Sequence, residues 1–323
     1  MTPLRWSLLC LALVAAALLA LAVGTIGYTP VESWRALMGR GDATAIFVVR
    51  ELRLPRMVLA VLLGVGLGIS GAALQGVMRN PLAEPYLLGV SGGAAVGAVL
   101  AVIAGLSFAV VPLAAFAGAI AAVIVALSVA RATRGRGDPR VLVMAGVVVG
   151  AFANAAILIL MANADASKVR GAVWWMMGSV ADASWTQTAW LAAYVLTGAV
   201  VLVAQGRVID ALALGEDSAA GLGVDVDRTM RRVYLTASLV AAATVAAAGL
   251  VGFVGLVVPH IARRLGAGSH RSVLIASAVS GALLTVAADL VARVALPPAE
   301  LPLGAITALV GVPFFLLTLR RLT

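Results

Sequence analysis

The stretch RRVYLTASLVAAATVAAAGLVGFVGLVVPHIARR (residues 231–264) decides the fold. Its apolar interior is longer than the ~20 residues that cross a hydrocarbon core of about 30 Å, yet too short for two full-length crossings. Charge settles the choice. Arg231 and Arg232 precede the run and Arg263 and Arg264 follow it, and basic clusters prefer the cytoplasmic face. Both ends therefore lie on one side, so the run goes out and returns, breaking near Gly249, Gly252 and Gly255. Short, glycine-interrupted segments of this kind line cavities, where freed backbone groups find partners.

Outward from that hairpin, the runs 6–26, 57–78, 141–161, 185–204, 272–296 and 303–319 are each long enough for one crossing. Residues 86–130 carry no charge and make two crossings, with the turn at Gly105, Ser107 and Pro112. The expectation is an all-α polytopic membrane protein in a single domain, 1–323, with about ten transmembrane helices and both termini cytoplasmic. Composition agrees. Apolar residues make up 63%, charged residues only 11%, and the mean hydropathy is +1.09, whereas soluble domains carry about 25% charged residues. The net charge of +9 is no nucleic-acid footprint, because the arginines sit in short clusters between apolar runs. Most clusters fall on the inner side in this topology; Arg50, Arg53 and Arg56, at the outer mouth of the second span, are the exception. Arg5 followed by the run 6–26 has the basic start of a signal peptide, but the run exceeds the usual ~7–15 residues, so a retained first span is expected.

Before the hairpin lies the one long polar break, QGRVIDALALGEDSAAGLGVDVDRTMRR (residues 205–232). Within it Gly215 precedes Glu216 and Asp217, acids that suit the positive end of a short helix. Ala219, Ala220 and Leu222 would give that helix a small apolar face. A helix so short is marginal in water and needs something to pack against. Either the loop folds back on its own spans, or it docks into a groove of a separate soluble protein.

Reaction chemistry is sparse. The single lysine, Lys168, follows Ser167, so the G-x-x-x-x-G-K-[ST] of a P-loop is absent from this sequence. GLGISG (residues 66–71) spells a dinucleotide motif but lies inside an apolar span with no strand before it, which makes it a helix-packing feature. Four G-x-x-x-G pairs, Gly64/Gly68, Gly89/Gly93, Gly93/Gly97 and Gly146/Gly150, point to close helix approach as well. His260 and His270 have no Cys, Asp or Glu in sequence neighbourhood to complete a metal shell, and structural roles are expected for both. Asp289 is the one acid deep in a span, and Arg293 one turn on suits an i,i+4 ion pair. Gln75 and Asn154 are polar groups within spans; each either faces a water-filled path or bonds to another helix. An internal likeness of PLAEPYLLGVS (81–91) to PPAELPLGAIT (297–307) marks either an inverted repeat or a Pro-rich helix entry that arose twice by chance.

Several longer motifs, in order along nearly the whole chain, carry a resemblance. They are RLPR (53–56), RNPLAEP (79–85), LGVSGG (88–93), WWMMGS (174–179), LALGEDSAAGLGV (212–224), GFVGLVVPHIAR (252–263), ADLVAR (288–293) and ELPLGAITALVGVPFF (300–315). The chain resembles the FecCD-type permeases, the membrane subunits of bacterial ABC importers for iron chelates, haem and cobalamin. The resemblance implies a homodimer in the cytoplasmic membrane with a translocation path along the dimer axis. It also implies two ABC ATPase subunits, which bind the ATP and magnesium, docked on a coupling helix at Leu214, Gly215, Glu216, Asp217, Ala220, Leu222 and Gly223. A periplasmic or lipoprotein substrate-binding protein would dock outside, on Arg53, Arg56 and Arg293. The inner gate would fall at Asp138, Pro139 and the helix that follows, up to Asn154. The chain itself would have no catalytic residue, metal site or cofactor. The alternative from another class is a self-sufficient secondary transporter, which would need intramembrane carboxylates beyond Asp289 to couple ions.

Overall fold

The computed structural model describes residues 1–24, 26–132, 139–297 and 299–319, and within them the apolar runs are helices. Helix α1 (Pro3–Ala22) leads to the short α2 (Pro30–Leu37) and α3 (Ala43–Phe47). A π-helical stretch, Val48–Arg53, then runs without a break into α4 (Leu54–Val77). Next come α5 (Val90–Ile103), α6 (Val111–Ala132), α7 (Pro139–Ala162), α8 (Ala166–Met176) and α9 (Trp185–Ala204). The polar break holds α10 (Gly206–Ala213) and α11 (Glu216–Gly221). After it stand α12 (Val226–Ala248), α13 (Val254–Arg264), α14 (His270–Val294) and α15 (Leu303–Leu319). Among the described residues six helices are long and apolar enough to cross a membrane: α1, Ala43–Val77, α6, Val141–Ala162, α9 and α14. The apolar Val90–Ile103 and Leu303–Leu317 are shorter.

The bundle is built around α4. Of its apolar window 78% is buried, against 17% for α1. Glycine makes this possible. A Cβ on Gly64 would lie 2.1 Å from the Gly281 carbonyl oxygen, and one on Gly281 would lie 2.1 Å from that of Gly64. Helices α4 and α14 therefore cross backbone to backbone, the contact that small residues permit in a membrane. Gly68 meets Ser277 in the same seam, and Thr285 Oγ1 donates to the Ala60 carbonyl at 2.6 Å. The GLGISG stretch lies wholly inside this helix. Gly93 and Gly97 do the same work between α5 and α6, and Gly146 packs against Leu87 and Leu88, whereas Gly150 has open space beside it.

The deciding hairpin is asymmetric. Helix α12 is full length, but α13 has only 11 residues, about 16 Å at 1.5 Å per residue and half a crossing. Its first turn is held deep in the bundle, where a Cβ on Gly71 would lie 2.0 Å from the Gly255 carbonyl oxygen. The link between the two helices leaves helical geometry at Gly249 and Phe253, both with positive φ. Its backbone donors, freed from helical bonding, are met from the segment before α5: Val251 N–H donates to Tyr86 Oη at 3.2 Å and Phe253 N–H to Glu84 Oε1 at 3.0 Å. Helix α8 has no counterpart among the expected spans, because ASKVRGAVWWM mixes charge with apolar residues. It is anchored to α5 by Lys168 Nζ, which donates to the Ile103 carbonyl at 2.8 Å.

Candidate functional site

Two polar ends emerge from this packing. At one, the N-terminal ammonium donates to the Gly266 carbonyl at 2.7 Å and Arg5 to that of Leu265 at 3.2 Å. The C-terminal end of α4 lies there too, since Arg263 Nη1 donates to Gln75 Oε1 at 3.0 Å and a Cβ on Gly76 would meet His270. The polar loop completes this end.

Within the loop, α10 buries Ile209 and Leu212 while Asp210 reaches the first residue of α14. Gly215 follows with φ 113° and ψ 154°, a region open essentially only to glycine. The chain then turns into α11, with Glu216 and Asp217 in its first turn as expected. Glu216 pairs with Arg79 at 3.0 Å, both side chains about half exposed. The apolar face divides differently from the sequence expectation. Ala219 is fully buried against the bundle, Ala220 is exposed, and Leu222 turns outward with Leu214, at 67% and 70% exposure. Two bare leucines thus project from a structured polar loop, flanked by Glu216, Asp217 and Gly223. That arrangement offers a small apolar knob with an acidic edge.

The other end holds an ionic cluster. Arg56 bridges Asp289 and Glu300, each at 2.9 Å, and Arg293 faces Asp289 at 3.3 Å, the i,i+4 pair anticipated. Arg53 donates to the carbonyls of Leu21 and Ala22 at 2.8 Å and to that of Ile26, with its guanidinium over the Tyr28 ring. Arg53, Arg56 and Arg293 are therefore buried, at 7%, 9% and 9% exposure, and tie α1, α4 and α14 together. Glu300, with a 40% exposed side chain, is the open edge of this cluster.

Gln75 and Asn154 separate. Gln75 is buried; its Nε2 donates to the Leu256 carbonyl at 3.2 Å and its Oε1 accepts from Arg263, which makes it an interhelical tie. Asn154 stands exposed on α7, in a face with Met144, Val147, Val148 and Phe152. Pro139 opens α7, and Asp138 lies outside the described residues. His260 Nε2 contacts the Pro81 carbonyl at 3.2 Å and His270 Nδ1 contacts Asp210 at 2.7 Å. The partners of Asp210, Arg263 and Glu300 escape the sequence reading because they are distant in the chain. Arg79 stood in a quoted motif without a role.

Membrane-length helices around a glycine-packed centre, with broken segments satisfied inside the bundle, define a multi-pass membrane protein. More narrowly, the chain belongs to the FecCD transport family, whose pattern matches residues 11–321. It is 43% identical to the cobalamin import system permease protein BtuC of Halobacterium salinarum, over 86% of this chain and 74% of that protein. It is 38% identical to the vitamin B12 import system permease protein BtuC of Vibrio cholerae, over 93% and 89%. It is 35% identical to the hemin transport system permease protein HmuU of Yersinia pestis, over 90% and 88%. The structure is similar to an inward-facing putative metal-chelate type ABC transporter, with a TM-score of 0.87, 30% identity, and 99% and 100% coverage. The chain is the permease subunit of a binding-protein-dependent ABC importer and a multi-pass protein of the cytoplasmic membrane.

Proposed function

We propose that two copies of this chain form the pore of an importer for a large metal-containing chelate, namely an iron–siderophore complex, haem or cobalamin. Each copy crosses the membrane ten times with both termini in the cytoplasm. A separate ATPase grips the α10–α11 loop, and an extracytoplasmic binding protein delivers the solute at the end that carries Glu300. Binding and hydrolysis of ATP by the companion move the docked loop, and the two copies rock between outward-open and inward-open forms. The permease performs no chemistry on the solute.

The observation that carries this reading is the exposure of Leu214 and Leu222 on a loop that buries Ile209, Leu212 and Ala219. A few central anchors supply most of the energy of a docking contact, and Leu214 and Leu222 are the large apolar side chains this loop leaves bare for that role. The α7 face supports a second copy, because its large apolar side chains and Asn154 are left bare in the single chain. The substrate class is supported by the relatives, named for cobalamin, vitamin B12 and hemin import, and by the structural likeness to a putative metal-chelate type transporter. An ion-coupled transporter finds less support, since Asp289 is paired with both Arg56 and Arg293.

The test is co-purification. Tagged permease should retain its ATPase, and the Leu214→Asp/Leu222→Asp variant should lose it by about tenfold or more while remaining monodisperse. ATPase retention unchanged by the double substitution would refute the docking surface.

A further inference from the structure

Helix α10 is fastened to α14 more firmly than α11 is fastened to anything. Asp210 Oδ1 accepts two hydrogen bonds from one residue, the His270 backbone N–H at 2.8 Å and the His270 ring at 2.7 Å. A carboxylate can only accept, so the ring proton lies on Nδ1. His270 is the first residue of α14, so the carboxylate also sits at the positive end of that helix. Beside the clasp, a Cβ on Gly206 would come within 2.9 Å of the Arg271 Cα, and the His270 ring rests against Gly76 of α4. The ends of α10, α14 and α4 therefore meet within one layer of atoms. The Arg79–Glu216 pair, the other polar tie of the loop, is about half exposed on both sides, and exposed pairs hold little against solvent.

We infer that Asp210 and His270 are the positioning residues through which motion of the docked loop enters the bundle. The inference rests on the reading of α10–α11 as the ATPase-docking loop and goes beyond it: Leu214 and Leu222 grip the companion, whereas Asp210 and His270 pass its motion on. The route continues along α14, which packs backbone to backbone on α4 at Gly281/Gly64 and ends at Asp289 and Arg293. A pull on α10 thus acts on the central helix pair. Without the clasp the loop would swing on its own while the ATPase hydrolysed ATP.

The experiment uses the complete complex, permease with ATPase and binding protein, in proteoliposomes, and reads solute moved per ATP hydrolysed. Asp210→Ala and His270→Ala should keep the ATPase bound, and the ratio should fall about tenfold, the scale of one charge-assisted hydrogen bond. Asp210→Asn retains an Oδ1 that accepts both bonds and should restore most of the ratio, a rescue that a general loss of folding would not show. Wild-type ratios in both alanine variants would overturn the inference. So would loss of the ATPase from them, which would make the clasp part of assembly, or an Asp210→Asn variant no better than Asp210→Ala. If the unsubstituted permease holds no ATPase, the docking reading itself fails instead.

Discussion

Removal of Asp289 should be the most damaging single change to the charged cluster at the end opposite the loop. Asp289 is 2% exposed and faces two guanidinium groups, Arg56 at 2.9 Å and Arg293 at 3.3 Å. In Asp289→Ala, Arg56 keeps only the half-exposed Glu300, and Arg293 keeps only the carbonyls of Ala20 and Val23. Breaking a buried pair by removing one partner costs about 3–5 kcal/mol, because the surviving charge stays desolvated. With an unfolding entropy of about 2.1 cal/mol/K per residue over this chain, that is a fall of about 4–7 °C in melting midpoint. Arg56→Met should cost less, about 1–3 kcal/mol, since Asp289 retains Arg293 and Glu300 can return to water. The assay is loss of the monodisperse gel-filtration peak on heating the purified protein in detergent. An Asp289→Ala midpoint equal to that of the parent, or a smaller fall than for Arg56→Met, would refute the reasoning.

Further outcomes follow from the same contacts. Gly64→Leu places a side chain where the Gly281 carbonyl lies, so α4 and α14 must separate, and the variant should express without a monodisperse peak; a well-behaved variant would contradict the backbone crossing. Gly215→Ala forces a non-glycine residue into a glycine-only backbone region, at about 1–3 kcal/mol, and should weaken ATPase retention while leaving the bundle's melting midpoint in place. Arg79→Glu, which breaks an exposed pair worth about 0–1 kcal/mol, should leave that midpoint unchanged within the scatter of replicate melts.

Much of the architecture was legible because the membrane imposes length and charge rules that a single sequence displays. The run 185–204 is α9 to the residue, and the uncharged 86–130 divides into α5 and α6 across residues 104–110, with Gly105 and Ser107 in the break and Pro112 already inside α6. The hairpin was read correctly as a break near Gly249, but not the half length of α13, which is set by where Gly255 meets Gly71 across the bundle. In the polar loop, the acids and Gly215 were readable from local helix-end chemistry. The inward turn of Ala219 was not, because a six-residue helix has no periodicity long enough to fix its face. The ties of Asp210 to His270, and of Arg56 to Asp289 and Glu300, join residues far apart in the chain, and no local spacing signals them. The burial of Arg53, Arg56 and Arg293 shows the same limit: their basic cluster was visible, but which way the side chains turn depends on carbonyls and carboxylates supplied by α1 and α14.

The most direct test of the account is transport by the purified permease with and without its companions. Reconstituted with the ATPase and a loaded binding protein, it should accumulate a cobalamin or iron-chelate solute only when ATP is supplied, and the permease alone should accumulate none under any ion gradient. Accumulation by the permease alone, driven by a proton or sodium gradient, would contradict the account.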